Sequence, residues 1–152
     1  MIYGPNASGK TNIISAMDTF KSIVLRGNIR NNDDQNNPNT AATALQLIPN
    51  NTNKKALPVS FAIKFITNEI LVEYSFSAAL GEFLETDYPR KIVSETLKIN
   101  NSLVFSRNDS LEIHSLDTIQ KLLVNAFEQN AESAISLAKS NLNDEELFLM
   151  NS

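Results

Sequence analysis

Near the start of the chain, apolar residues recur at helical spacing at Ile13, Ile14, Ala16, Met17, Phe20, Ile23 and Val24. Asn12, Ser15, Asp18, Thr19 and Lys21 fall largely on the opposite side. This pattern predicts an amphipathic helix, and Gly27 offers its stop. Residues 28–39 (NIRNNDDQNNPN) are almost wholly polar. Such a stretch buries too little apolar surface to offset its ordering entropy, so a mobile loop is expected there. A short helix is expected from Thr40 to Ile48, with Ala41, Ala44, Leu45 and Ile48 on one face and Pro49 ending it. The period then changes from 3.6 to two. Val59, Phe61, Ile63 and Phe65 alternate with Ser60, Ala62 and Lys64, Asn68-Glu69 marks a turn, and Ile70, Val72, Tyr74 and Phe76 alternate again. Two further strands are predicted over Ile92–Ile99 and Leu103–Ser106, joined at Asn100-Asn101, with a short one over Leu111–Ile113. Strands linked by tight turns make an antiparallel sheet rather than a βαβ repeat.

The helical period returns after the sheet. Leu116, Ile119, Leu122, Leu123, Ala126 and Phe127 form one stripe, with Ser115 or Asp117 as cap, and Ala134, Ile135, Leu137 and Ala138 suggest a second. Asn143 before Asp144-Glu145-Glu146 reads as the N-cap of a last helix with acids in its first turn. The domain organisation expected is thus one unit over residues 1–152: loop and helix at 1–27, a mobile loop at 28–57, a sheet at 58–114 and helices at 115–152.

Directly before the first helix stands Gly4-Pro5-Asn6-Ala7-Ser8-Gly9-Lys10-Thr11, which satisfies G-x-x-x-x-G-K-[ST]. At average composition, a chance match of the four fixed positions at one site has odds of about 1 in 20,000 to 30,000. Gly4 and Gly9 permit backbone angles that a side chain forbids, so several N–H groups can point into one concavity. The helix that follows adds its dipole and its unpaired N–H groups. Lys10 is then expected to reach the β- and γ-phosphates and the Thr11 hydroxyl to ligate Mg²⁺, with Asn12 completing the loop. Only Met1, Ile2 and Tyr3 precede Gly4, whereas a phosphate loop hangs from a strand of about five or six residues. The chain therefore reads as a fragment whose first strand is shortened.

At 152 residues and 42% hydrophobic content the chain can bury the core of one domain. It has no cysteine and one histidine, His114, which excludes disulfides, Cys-based metal sites and a histidine cluster. No signal peptide or spanning apolar run is evident, so a cytoplasmic location without membrane contact is expected. A net charge of −4 argues against a dedicated nucleic-acid surface on these residues.

The string GPNASGKTN resembles the loop of ABC-type and SMC-like ATPases, and its Ala7-Ser8 variant looks most like bacterial AAA-family ATP-binding proteins of the abortive-infection and OLD-related group. Pro58 to Phe65, Val72 to Phe76, Ile92 to Leu97, Val104 to Arg107 and Leu147 to Leu149 are similar to the inserted sheet of that group and the helix after it. The resemblance implies an α/β fold, the N-terminal portion of a P-loop NTPase carrying an inserted antiparallel sheet and C-terminal helices. It implies ATP and Mg²⁺ as ligands, Lys10 as a catalytic group, ATP hydrolysis in the parent protein, head-to-head pairing of two copies, and a nuclease or DNA partner reached through other regions. Ala62 stands where the group often has an acid, a surface change. No apolar strand runs into Asp-Glu as a Walker B segment would, since Ser140-Asn141-Leu142-Asn143 before Asp144-Glu145 is too polar, and there is no Leu-Ser-Gly-Gly signature. Weak nucleotide binding with negligible hydrolysis is therefore expected of the chain itself.

Other readings have less behind them. Asn53-Lys54-Lys55-Ala56 fails as a guanine reader at its last position, and Arg26, Arg30, Arg90 and Arg107 are scattered singly rather than gathered as a kinase lid. His114 with Glu112 lacks a nucleophile and reads as strand surface. Lys54-Lys55 and Arg90-Lys91 read as solvated pairs, Gln46 has no strand before it, and Phe61, Tyr74 and Phe76 read as the packed face of a sheet rather than a base-stacking platform. The alternative function is a non-catalytic interaction fragment whose sheet serves a partner, or another P-loop NTPase or kinase.

Overall fold

A computed structural model describes residues 10–30, 47, 57–81, 90–115, 117, 136 and 139–151. The first element, α1 (Lys10–Arg26), realises the predicted helix over 17 residues. Gly27 ends it at φ 71°, with its N–H donating to the carbonyl of Ile23 at 2.9 Å, which is the left-handed closure that glycine adopts without a Cβ clash. The short helix expected at Thr40–Ile48 and the stripe at Leu116–Phe127 lie outside the described residues, apart from Leu47 and Asp117.

Five strands follow: β1 (Val59–Thr67), β2 (Ile70–Ala79), β3 (Lys91–Ile99), β4 (Ser102–Arg107) and β5 (Leu111–Ile113). They form one sheet in the order β1-β2-β3-β4-β5, each neighbour antiparallel. Two tight turns make it a meander. Asn68 and Glu69 (φ 47° and 64°), and Asn100 and Asn101 (φ 49° and 67°), all take positive φ, the geometry of turns whose twist matches the flanking strands. β2 runs three residues past Phe76, through small side chains (Ser77, Ala78, Ala79) and a register shift opposite β3. Apolar amplitude fades there while the hydrogen-bond ladder continues.

Register sorts the side chains onto two faces. Phe61 opposes Phe76, Ile63 opposes Tyr74, Tyr74 opposes Leu97 and Leu97 opposes Phe105, so these share the apolar face. The other face carries polar cross-strand pairs, including Ser60 with Ser77 (Oγ–Oγ 2.7 Å) and Lys64 with Glu73 (2.7 Å). The hydrogen bond from Lys64 holds the Glu73 carboxyl below its ordinary range.

α1 packs on the apolar face through its second half. The Phe20 ring lies 5.9 Å from those of Phe61 and Phe76 and 6.5 Å from Tyr74, and Ile23 is 1% exposed. Thr11 to Asp18 are all exposed, with Met17 at 64%. The amphipathic stripe therefore finds its partners at Phe20, Ile23 and Val24, and not at Ile13, Ile14 and Met17 among the described residues.

The C-terminal segment differs from its sequence reading. Asn143 does not cap a helix; its Oδ1 accepts from the Glu145 N–H (3.2 Å) in a side-chain turn, and the helix, α2 (Phe148–Asn151), starts after Leu147. The first residues of the polar stretch expected to be a mobile loop are fixed instead. Asn28 forms a bridge with Glu146, the Ile29 N–H donates to the Glu145 carbonyl (3.1 Å), and Ile29 is fully buried.

Candidate functional site

Of the loop residues, Gly4, Pro5, Asn6, Ala7, Ser8 and Gly9 lie outside the described residues. Lys10 is the first residue of α1, and Thr11 and Asn12 follow in its first turn, exposed. A 17-residue helix with no acid in its first turn keeps its positive dipole end at Lys10, where the motif sequence enters it, and Arg26 in its last turn complements the other end. This is the environment a phosphate group needs, and the donor set fits a metal-bound nucleotide: an ammonium for phosphate oxygen, a hydroxyl for a divalent cation. Asp144 and Glu145, the one Asp-Glu pair, are engaged elsewhere. The Asp144 carbonyl accepts from the Ile92 N–H (2.6 Å), and Glu145 pairs with Arg30 (3.0 Å).

The opposite end of α1 is fastened by residues that look unrelated in sequence. The Leu147 N–H donates to the Gly27 carbonyl at 2.9 Å, so residues 145–147 run alongside 27–29. Three arginines that stand apart in the sequence converge on this pairing, and Arg90, expected to be solvated, is one of them. Arg30 pairs with Glu145 and Glu146 (3.0 and 3.4 Å), Arg90 donates to the carbonyls of Ile29 and Leu47 (3.0 and 2.7 Å), and Arg107 donates to those of Glu146 and Asn143 (2.6 and 3.2 Å). Arg26 also donates to the Arg30 carbonyl. These cations close loop and strand ends.

Glu95 stands at the centre of that fastening. It lies on the apolar face of β3, fully buried, opposite Arg107 on β4 and Phe76 on β2. Its Oε2 accepts the Phe148 N–H (2.8 Å); its Oε1 accepts the Leu149 N–H (3.1 Å) and the Tyr74 hydroxyl (2.8 Å); Arg107 Nη1 stands 4.0 Å away. A carboxylate on a distant strand thus satisfies the free N–H groups at the start of α2. Burial pushes the Glu95 carboxyl above its ordinary range, against the pull of these donors. Burial, and then the adjoining carboxylate, push the Tyr74 hydroxyl far up. The signal for Glu95 was partly present in the sequence, as an acid two positions before the inward Leu97; the local register shift, which buries Ile92 and leaves Val93 exposed, was not.

Two other features surround the sheet. A groove of about 1000 Å³ runs between α1 and the outer strands, lined by Ile13, Met17, Phe20, Phe61, Phe65 and Val72 among others. The Ser106 hydroxyl and the Glu112 carboxylate both approach His114 at the same nitrogen, Nε2 (3.0 and 3.7 Å), in an exposed position. An acid–base relay needs opposite nitrogens, so this is surface structure. Phe61, Tyr74 and Phe76 pack under Phe20, as expected of a sheet face.

A phosphate-loop sequence running into a long helix, with an antiparallel sheet packed on that helix, is compatible with a P-loop ATPase-like domain. The family described as "AAA domain, putative AbiEii toxin, Type IV TA system" matches residues 1–147, and the chain belongs to it. No curated protein and no solved structure matches. No helix among the described residues is long and apolar enough to cross a membrane.

Proposed function

We propose that this domain binds Mg-ATP at the loop from Gly4 to Asn12, with the backbone of Gly4–Gly9 cradling the phosphates, Lys10 neutralising the β/γ charge and Thr11 holding Mg²⁺. The observation that carries this reading is the run of the motif straight into a 17-residue helix whose first turn is free of acids. Bound Mg²⁺ would supply charge neutralisation between the β- and γ-phosphates. The sequence contains neither a Walker B strand nor a signature, so the chain binds nucleotide weakly and hydrolyses negligibly.

The family match and the loop variant together favour a cytoplasmic ATPase of the OLD-related kind, acting in abortive infection or a toxin–antitoxin pair. There, nucleotide would bring two copies head to head, and a nuclease or DNA would be engaged through other regions. Binding of a fluorescent ATP analogue tests the core of this reading. Saturable, Mg²⁺-dependent binding that GTP displaces poorly and Lys10→Ala abolishes is the expected result. Equal behaviour of wild type and Lys10→Ala would remove nucleotide binding and leave the second reading, an interaction module, which the open apolar groove beside α1 favours.

A further inference from the structure

Among the described residues, the packed contacts of α1 lie in its C-terminal half. α1 spans about 25 Å, and Thr11–Asp18 contribute no buried side chain among the described residues. Its direction is set by Phe20, Ile23 and Gly27. Phe20 and Gly27 lead back to Glu95 or its partners. The Tyr74 ring that packs on Phe20 donates its hydroxyl to Glu95. The Leu147 N–H that holds Gly27 precedes the two N–H groups that Glu95 accepts. Arg107, opposite Glu95 in the sheet, grips the carbonyls of Asn143 and Glu146.

We propose that Glu95 is a positioning residue for the nucleotide loop: by locking residues 143–149 and Tyr74 against the C-terminal half of α1, it fixes where the helix aims its N-terminus. The inference rests on the nucleotide reading above and adds a regulatory link between the sheet and that site. A rigid helix anchored at one end transmits a small tilt at the anchor as a larger displacement at the far end, where phosphate contacts demand close geometry. Linkage makes the effect mutual: whatever the lock adds to nucleotide affinity, bound nucleotide adds to the stability of the lock.

Amide hydrogen exchange reads the lock directly. In the wild-type chain, saturating Mg²⁺ and ATP analogue should slow exchange at Phe148, Leu149 and Ile29 by about fivefold to tenfold, the low end of ordinary coupling energies. Glu95→Gln, which keeps the side-chain shape but offers one acceptor oxygen in place of two, should speed exchange at these amides without nucleotide and weaken analogue binding by a similar factor. Lys10→Ala should abolish the nucleotide effect and leave unliganded exchange unchanged. Nucleotide that binds in a Lys10-dependent way without altering exchange at Phe148 and Leu149 overturns the coupling and spares the nucleotide reading. So does a Glu95→Gln chain with looser amides and unchanged affinity. Absence of Lys10-dependent binding overturns both together, and the wild-type measurement decides this even if the variant does not fold.

Discussion

At Glu95 two opposing effects meet. Full burial costs a carboxylate its hydration, while three hydrogen-bond donors, with the Arg107 guanidinium 4.0 Å away, replace part of that hydration at fixed positions. Burial is the larger effect, and the carboxyl titrates above its usual range. Its contribution to stability is therefore complete below the unfolded value of 4.5 and declines as pH rises towards the folded one. Tyr74 titrates in the same sense at the alkaline end. Its hydroxyl stays protonated in the folded chain, whereas the unfolded chain releases that proton near pH 10, so stability falls as pH rises above 10. Tyr74→Phe should cost about 1 kcal/mol at pH 8, the net worth of one hydrogen bond. It should also flatten the alkaline decline, so that urea midpoints of variant and wild type converge by pH 11. A gap that stays constant from pH 8 to 11 would show that the hydroxyl is not held against the buried carboxylate.

The elements of this fold differ in how plainly local sequence declares them. Ile70 to Phe76 alternates cleanly because β2 has one buried and one more solvated face; Val59 to Phe65 shows the same period although Phe61 alone on β1 is half-buried; and Asn68-Glu69 and Asn100-Asn101 mark the turns between strands. Local pattern misses whatever depends on a distant partner. Asn143 carries a cap's chemistry but serves a turn, and the cap of α2 comes from Glu95, 53 positions before Phe148. The loop motif was legible because its chemistry is contiguous; the arginines around 145–147 were not, because only the folded sheet brings them together. The turns themselves give a test. Glu69 at φ 64° lacks glycine's freedom, and the left-handed region costs a β-carbon residue about 1–2 kcal/mol. Glu69→Gly should therefore stabilise by about 0.5–1 kcal/mol after the entropy of a freer unfolded chain is deducted. Asn100→Gly should do the reverse despite φ 49°, because the Asn100 Oδ1 accepts the Leu71 N–H (2.9 Å), and losing it costs about 1 kcal/mol. Chemical denaturation of both variants checks the opposite signs.

For the molecule as a whole, α1 and Phe148 together leave part of the sheet's apolar face uncovered among the described residues. Phe61 lies under Phe20, but Ile63 and Phe65 further along β1 are 37% and 42% exposed, and Met17 on the facing helix is 64% exposed. Among the described residues β1 pairs with β2 alone, so its outer edge offers an unpaired ladder nine residues long. Natural edges are commonly protected by charge, especially lysine. The one charge on β1, Lys64, points to the polar face and is already paired with Glu73. A strand with an open edge and apolar flank is prone to add further strands, and a chain net charge of −4 opposes that weakly at physiological salt. Phe65→Lys should therefore lower light scattering in concentrated solution and reduce binding of an apolar fluorescent dye, with a change in unfolding midpoint worth less than about 1 kcal/mol. Phe61→Lys, four residues away on the same face, puts a charge under Phe20 and beside Phe76 and should cost roughly 3 kcal/mol or more. The contrast between them locates the boundary of the packed core. Equal destabilisation by both would place Phe65 inside that core and close the groove, whereas an undiminished scattering signal in Phe65→Lys would move the adhesive surface elsewhere.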